Sequence, residues 1–538
     1  MKLEQIQSPV NTKLVTDYWS ENADIHSFFE YKYNEQSFID RANYLQNNIY
    51  RSKELTEIIR SFMEKYGVHE KTNKHLLELE HGAMVIVGGQ QSGLLTGPLY
   101  SIHKAISVIL LAQEQREKLN EPVVPMFWIA GEDHDIEEIN HTYTILDAEV
   151  KKRGYSERSK LKTMASTTKL NPEAIEQFVK TVFQDFGETE YTEQLMAVVL
   201  AHAKSSDTFT DFFTVLMNDL FKNHGLLLLD ATYAPFRKYE QRYFKELIEN
   251  NEKIAAQVVE QEKKLAQAGY SMPIGATENN ANLFFVKEGE RFLLERKNGH
   301  FSNALAQVKL TEVQLLHLAE DCPEVLSNNV VTRPLMQEMA IPVLAFVGGP
   351  GELAYWATLK PAFTTLQLQM PIFAPRLNLT IVTRQVQQIL EQQQLTVAQV
   401  FAGQAEEKLL QFIAEIQDQE AQQLIGRMNE QLMGQYEALS EYLQDKNYHV
   451  EKLLEKNKAY HDRQFRYLQA KISEQVLQKH DAVIRQYKTL LLELFPNGSY
   501  QERIYNPYQY INAYGLSFVD DLLQLPMNLS EQHQIISI

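Results

Sequence analysis

The sequence predicts an α/β protein: a doubly wound core with helical insertions, joined to a long antiparallel coiled coil. Three observations predict it. Between about residues 83 and 376, short apolar runs alternate with helical stretches, the pattern of a sheet wound on both faces. One of these runs ends in a Gly- and Gln-rich loop that leads into an apolar-periodic stretch, giving strand, tight loop and helix. From residue 376 to 495 there is no proline, and Gln, Glu, Lys and Leu dominate.

Residues 15–80 are polar-amphipathic and nearly free of Gly and Pro, which predicts helices. Strands are predicted at 84–87, 123–130, 226–230, 282–286 and 342–347, with a further short apolar run at 370–373. The continuous run Leu226-Leu-Leu-Leu suits a parallel strand buried on both faces. Residues 151–222 carry few strand signals and read as a mainly helical insertion. Residues 282–286 and 291–295, separated by Lys287-Glu-Gly-Glu, read as the hairpin of a small β element.

In the proline-free stretch, Ile425, Met428, Leu432, Tyr436, Leu439, Leu443, Val450 and Leu453 recur mostly at three- and four-residue steps. The series resumes with Phe465, Leu468, Ile472, Val476 and Ile484. Two long amphipathic helices in an antiparallel coiled coil follow from that spacing. Such a hairpin exposes apolar surface, so it suits self-association as a homodimer; packing on its own chain is the alternative. After Pro496-Asn-Gly, the tyrosines Tyr500, Tyr505, Tyr508, Tyr510 and Tyr514 mark an aromatic segment that returns onto the α/β body. The chain thus divides into a core at 1–377, with an insertion at about 150–225, and a helical coiled-coil domain at 378–538.

At 538 residues and a formal charge of −18, the chain has room for a large core but no general basic face for nucleic acid. Its one cysteine, Cys322, allows no intramolecular disulfide and no Cys-rich zinc site. Residues 1–10 carry no signal-peptide core, and no apolar run approaches membrane-spanning length. A cytoplasmic protein without nucleic-acid or membrane partners is expected.

The most informative segment is Val85-Ile-Val-Gly-Gly-Gln-Gln-Ser-Gly-Leu-Leu-Thr-Gly-Pro98. Gly88, Gly89, Gly93 and Gly97 permit close approach of a ligand to backbone, and Pro98 suits the first turn of a helix. The loop therefore stands where helix N-terminal amides can hold an anion. It is not a P-loop, because Leu94 and Leu95 follow Gly93 where Lys and Ser/Thr are required, nor does it fit G-x-G-x-x-G. Glycines that serve turn geometry alone are the plainer reading.

Three further constellations could carry chemistry. Phe127-Trp-Ile-Ala-Gly-Glu-Asp-His-Asp135 runs an apolar strand into Glu132, Asp133 and His134, beyond the strand's carboxyl end. Carboxylates there could take an ammonium group or work with His134 as a base; a solvated helix-capping turn is the alternative. A metal is disfavoured, since adjacent loop residues cannot all converge on one ion. Asn328-Asn-Val-Val-Thr-Arg-Pro-Leu-Met-Gln337 contains Asn329, Arg333 and Gln337 and precedes the loop Gly348-Gly-Pro-Gly-Glu352. Arg333 before Pro334 is biased to extended backbone and could present its guanidinium to a carboxylate or phosphate. Glu352 falls in the first turn of a helix with Tyr355 and Trp356, where it either caps or takes an amine. Ala374-Pro-Arg-Leu-Asn378 brings Arg376 and Asn378 to the same crevice, unless Arg376 is a surface ion-pair partner.

Four segments in order, residues 87–100, Trp128–Asp135, Asn329–Glu338 and Gly348–Glu352, resemble the BshC family, the cysteine-adding enzymes of bacillithiol biosynthesis, and the likeness runs the whole chain. The resemblance implies a Rossmann-like core similar to class I synthetases, with connective insertions and a dimerising coiled coil. It also implies the last step of the pathway, in which the carboxyl group of L-cysteine joins the amine of glucosaminyl-malate. Such an amide needs an activated carboxylate, and adenylation by ATP with Mg2+ is the route expected by analogy. Yet Leu95-Thr-Gly-Pro98 stands where the synthetase pattern has His-x-Gly-His, no Lys-Met-Ser-Lys-Ser follows, and zinc has no ligand set. On this reading Gly89, Gln90, Gln91, Thr96, Gly97 and Tyr100 meet substrate or nucleotide, and His103 or Lys104 offsets phosphate charge. Asp133 or Glu132 holds the cysteine ammonium, with His134 beside them. Arg333 or Arg376 takes the malate carboxylates, with Asn329, Gln337, Gly349, Glu352, Tyr355 and Asn378 around them. A non-catalytic dimeric scaffold for a separate ligase, or a related adenylate-forming ligase with other substrates, are the rival readings.

Overall fold

Five parallel strands form the central sheet of the computed structural model: β1 (Met84–Gln90), β2 (Val123–Ile129), β3 (Leu227–Asp230), β4 (Val343–Gly348) and β5 (Ile372–Pro375). They lie in the order β5-β4-β1-β2-β3. The chain builds outward from β1 through β2 to β3, then crosses back to lay β4 on the other side of β1. The strand order therefore reverses between β1 and β4, which opens a crevice beyond their carboxyl ends. Every residue of β2, β3 and β4 is buried, as expected of parallel strands covered on both faces. The structure describes residues 1–7, 12–20, 22–157 and 162–538.

Three helices position the crevice. Helix α1 (Tyr100–Leu119) follows β1 and is buried along most of its length, from Ser101 to Ile109 without a break. Helix α2 (Thr332–Ala340) precedes β4, and α3 (Pro350–Trp356) follows it. The expected N-terminal helices are present as five segments between Lys13 and Glu80, with residue 21 outside the described residues.

Three features differ from the sequence reading. The expected insertion is helical only from Pro172, through Pro172–Phe186, Thr192–Ser205 and Phe209–Leu220. Ahead of it, His141–Leu146 and Glu149–Gly154 pair as an antiparallel hairpin, and residues 158–161 lie outside the described residues. Its two-residue turn places Asp147 and Ala148 at φ 53° and 57°, the mirror-image geometry that twists with the strands. Ala148 lacks the glycine that ordinarily marks this turn. The hairpin expected at 282–295 is part of a five-stranded sheet that continues to Val308–Thr311 and takes in Leu326–Asn328. A third sheet joins Lys2–Ile6, His533–Ser537 and Leu379–Val382.

Met1–Val382 and Ser499–Ile538 make one compact unit, and Thr383–Gly498 makes another. In the second unit α4 (Gln419–Asp445) and α5 (Glu451–Lys479) run antiparallel. Gln422 donates to Ser473 (3.1 Å), Asn429 to Asp462 (3.2 Å), and Lys458 lies 3.6 Å from Glu437. Ile425 is buried in this seam, whereas Met428, Leu439, Leu453 and Leu468 remain exposed. The aromatic segment belongs to the first unit, where the short helix α6 (Gln501–Ile504) begins it.

Candidate active site at the strand reversal

A cavity of about 360 Å³ opens at the crevice. It is floored by Gly89 and Gly349, which end or follow the two reversing strands, and by Ala130 after β2. Close backbone approach dictates glycine here. A Cβ on Gly89 would meet the Trp128 carbonyl oxygen at 2.4 Å, and one on Gly131 would meet Ser166 Oγ at 2.0 Å.

Lys104 and Glu352 bridge the reversal. Lys104 Nζ, 2 % exposed, donates to Glu352 Oε2 (2.6 Å), to the Gly89 carbonyl (2.8 Å) and to Gln90 Oε1 (3.1 Å). Burial pulls the lysine below its ordinary value, although Glu352 opposes that shift. Glu352 Oε2 also accepts the Gly349 N–H (2.8 Å), so one carboxylate caps α3 and holds a cation of α1. On the α2 side, Arg333 donates to the Tyr355 hydroxyl, while its buried Nε has no partner among the described residues.

The opposite wall is built from the return segment. Glu502, fully buried on α6, accepts from Arg376 Nη1 and Nη2 (3.0 and 2.6 Å) and from His103 Nδ1 (2.9 Å). Burial pushes the Glu502 carboxyl up, but Arg376 and His103 outweigh it and hold it well below the carboxylate range. Burial pushes the His103 imidazole down against the pull of Glu502, so a neutral ring donates its Nδ1 proton. Arg376 in turn lies 5.8 Å from the Tyr100 ring at the cavity wall.

Asp133 supplies the acidic wall. Its Oδ2 accepts from Gln91 Nε2 (2.8 Å), which also donates to Glu138 (2.8 Å). Burial raises this carboxyl, yet the Gln91 and Asp135 hydrogen bonds, with Arg291 and His134 nearby, bring it below its usual value. A second cavity, about 320 Å³, adjoins the first and shares Gln90, Gln91, Tyr100 and Arg503 with it. Gly93, Gly97, Pro98 and Ser101 line its other side, facing His141 and Tyr143.

Two family models account for this chain. "Bacillithiol biosynthesis BshC, N-terminal Rossmann-like domain" matches residues 1–377, and "Bacillithiol biosynthesis BshC, C-terminal coiled-coil domain" matches residues 379–538. The chain belongs to the BshC family. Its relatives include proteins of Lysinibacillus sphaericus (55 % identical over 536 residues), Geobacillus kaustophilus (38 % over 540) and Bacillus velezensis (37 % over 548). Each alignment covers 100 % of both chains, and each relative is named "Putative cysteine ligase BshC".

Of the BshC motif residues singled out in the sequence, the larger cavity gathers Gly89, Gln90, Gln91, Tyr100, Lys104, Asp133, Arg333, Gly349, Glu352, Tyr355 and Arg376. The others lie elsewhere. Gly97 lines the second cavity, and Asn378 a small cleft beside Arg376. Thr96 is wholly buried with φ 66°, and its Oγ1 has no partner among the described residues. Glu132 is buried against Arg237 (2.5 Å) and Arg291 (4.0 Å), so an internal cation already occupies it. His134 packs edge-on to Phe284 (5.8 Å), and burial with Arg291 lowers its ordinary value. Asn329 caps α2 through the Val331 and Thr332 N–H groups, and Gln337 is buried on the same helix.

Two local expectations are corrected. Arg333 is not extended but the second residue of α2. Pro334 is tolerated there because first-turn N–H groups have no intrahelical acceptor to lose. Pro98 precedes α1 rather than standing in its first turn; its carbonyl accepts from Ser101 N–H (2.9 Å). The left-handed run Leu95, Thr96 and Gly97 turns the chain instead, and Asn506 Nδ2 clasps the carbonyls of Leu95 and Gly97. The Leu99 N–H is taken by the Tyr505 carbonyl (2.8 Å). The tyrosines of the return segment pack internally, Tyr508 near Phe183 and Tyr510 and Tyr514 on Phe518. Sequence reasoning misses Glu502 and Arg503; the one cue is a Gln-Glu-Arg run inside an aromatic segment.

Proposed function

We propose that this protein forms the amide of bacillithiol, joining the carboxyl group of L-cysteine to the amine of glucosaminyl-malate. Membership of the family supports the pathway, and the relatives' shared name supports a cysteine ligase. The observation that carries the site assignment is the convergence of Asp133, the Lys104–Glu352 pair and three arginines on one cavity at the strand reversal.

The chemistry of the two substrates fits that set. L-Cysteine brings an ammonium group, which an ionised Asp133 complements. Glucosaminyl-malate brings two carboxylates, which guanidinium groups bind by paired hydrogen bonds. Lys104, held in a dry site, stabilises negative charge that develops on the reacting acyl group. As the C–N bond forms, the amine sheds a proton, which Asp133 or Glu352, the cavity's carboxylates, could take, and the acyl C–O bond to the activating group breaks; were that group an adenylate, AMP would leave with the electron pair.

ATP with Mg2+ would supply the activation that a free carboxylate needs. The residues that would hold a nucleotide are those of the second cavity: the glycine edge at Gly93 and Gly97, Ser101 on α1, and the His141–Tyr143 pair, with ring centroids 5.3 Å apart. We place the protein in the cytoplasm, as a homodimer joined through the coiled coil. No helix among the described residues is long and apolar enough to cross a membrane.

Incubation of the pure protein with L-cysteine and glucosaminyl-malate, with and without ATP and Mg2+, tests the reading by mass spectrometry. ATP-dependent bacillithiol is expected. No product from the folded protein under either condition overturns it.

A further inference from the structure

Six basic groups belong to this site or lie behind its walls, yet four are already neutralised. Lys104 is paired with Glu352 at 2.6 Å, and Arg376 is bound at both terminal nitrogens by Glu502. Arg291 and Arg237, behind the cavity, face Glu132. A buried cation so paired presents little net charge to an incoming anion in the ground state, whatever Lys104 does for charge that develops during the reaction, and removing its partner would be costly. Two guanidiniums differ. Arg333 has no carboxylate within ion-pair distance among the described residues; its neighbour is the neutral Tyr355 hydroxyl, and its Nε is an unsatisfied buried donor. Arg503 is exposed and has neither a side-chain hydrogen bond nor an ion pair among the described residues, although it lines both cavities at the wall they share.

We infer that Arg503, together with Arg333, is the anion-receiving charge of this site, and that Arg376 is a positioning group held by Glu502. The inference deepens the proposed function, on which it rests for the identity of the anion. The chain as a whole carries −18, so a free cation at the junction of two cavities is the local exception that draws a negatively charged substrate inward. Arg503 follows Glu502 directly on α6, so the same four-residue helix fixes one arginine of the cavity and contributes another. Two substrate groups share the required chemistry: a carboxylate of the malate moiety and a phosphate of the nucleotide.

The test is calorimetric titration of the full-length protein, at low ionic strength, with L-malate, pyrophosphate and glucosaminyl-malate in separate experiments. The variants are Arg503→Met, Arg503→Lys and, as a control for net charge, Arg242→Met, an exposed residue that lines neither cavity. Arg503→Met is expected to weaken at least one of the simple anions by about tenfold, the scale of one hydrogen-bonded charge. Arg503→Lys should restore part of that loss and Arg242→Met none of it, because it causes none. Weakened L-malate assigns Arg503 to the acid substrate, and weakened pyrophosphate assigns it to the nucleotide. Equal affinities in wild type and Arg503→Met, or no binding of either simple anion to wild type, overturn the inference. Anion binding through Arg503 without any binding of glucosaminyl-malate would instead overturn the substrate assignment and leave Arg503 in place.

Discussion

Glu502 and Arg376 form a two-pronged ion pair, 2.6 and 3.0 Å, between residues 126 positions apart in the chain. It fastens the return segment to the end of β5, and His103 on α1 joins it as a third member. The pair is buried, so each partner depends on the other for its solvation.

Removing that partner should be expensive. Glu502→Ala is expected to lower unfolding free energy by about 3–5 kcal/mol, the scale for stranding a buried charge. Urea unfolding of the first unit's tryptophan signal measures this. A loss under 1 kcal/mol would mean that water reaches Arg376.

The same carboxylate gives a pH dependence with a fixed sign. Its folded value lies below its unfolded value near 4.5, so the folded state binds fewer protons in that window. Its contribution is present above about pH 4.5 and is lost as pH falls toward the depressed folded value. Glu502→Gln should therefore flatten the acid limb of stability against pH, read from urea midpoints between pH 6 and 3.5. An unchanged acid limb would contradict the pairing.

Two glycines of the same cavity should respond very differently to a methyl group. Gly89→Ala forces a Cβ to within 2.4 Å of the Trp128 carbonyl and is expected to destabilise by about 1–3 kcal/mol. Gly351→Ala, in the first turn of α3, meets nothing within 4 Å among the described residues and should leave stability within about 0.5 kcal/mol of wild type. Thermal melts of the two variants side by side decide it.

The sequence shows the strands of the central sheet because buried parallel strands are continuous apolar runs, as in Leu227–Asp230. It does not show their order, since nothing in the β4 run states that it pairs with β1 rather than β3. Cavity residues near strand ends, such as Lys104, Asp133 and Glu352, are legible because glycine-rich loops mark where strands stop. Glu132 is misleading for the same reason: its position suits a ligand, but Arg237 from a separate helix occupies it. Glu502 is illegible because its partners are set by tertiary return of the chain, 399 residues away in the case of His103. Ala148 hides a hairpin by taking a left-handed turn without glycine.

The homodimer proposed through the coiled coil predicts dissociation when the exposed stripe is charged. Leu439 and Leu453, 43 % and 59 % exposed, can accept Glu with little effect on the fold of one chain. Sedimentation of Leu439→Glu/Leu453→Glu is expected to show a shift from dimer to monomer. A wild-type monomer would overturn the proposed homodimer, and an unshifted variant dimer would place the association elsewhere.

The most direct test of the strand-reversal cavity as the ligase site is thiol formation by Asp133→Asn and Lys104→Met, followed by mass spectrometry with L-cysteine, glucosaminyl-malate, ATP and Mg2+. Removing a group that stabilises charge in the transition state lowers the rate by about 10²–10³. Losses of that size, with urea unfolding showing that both variants remain folded, are the expected result. Bacillithiol formed at the wild-type rate by both variants would show that the chemistry happens somewhere else.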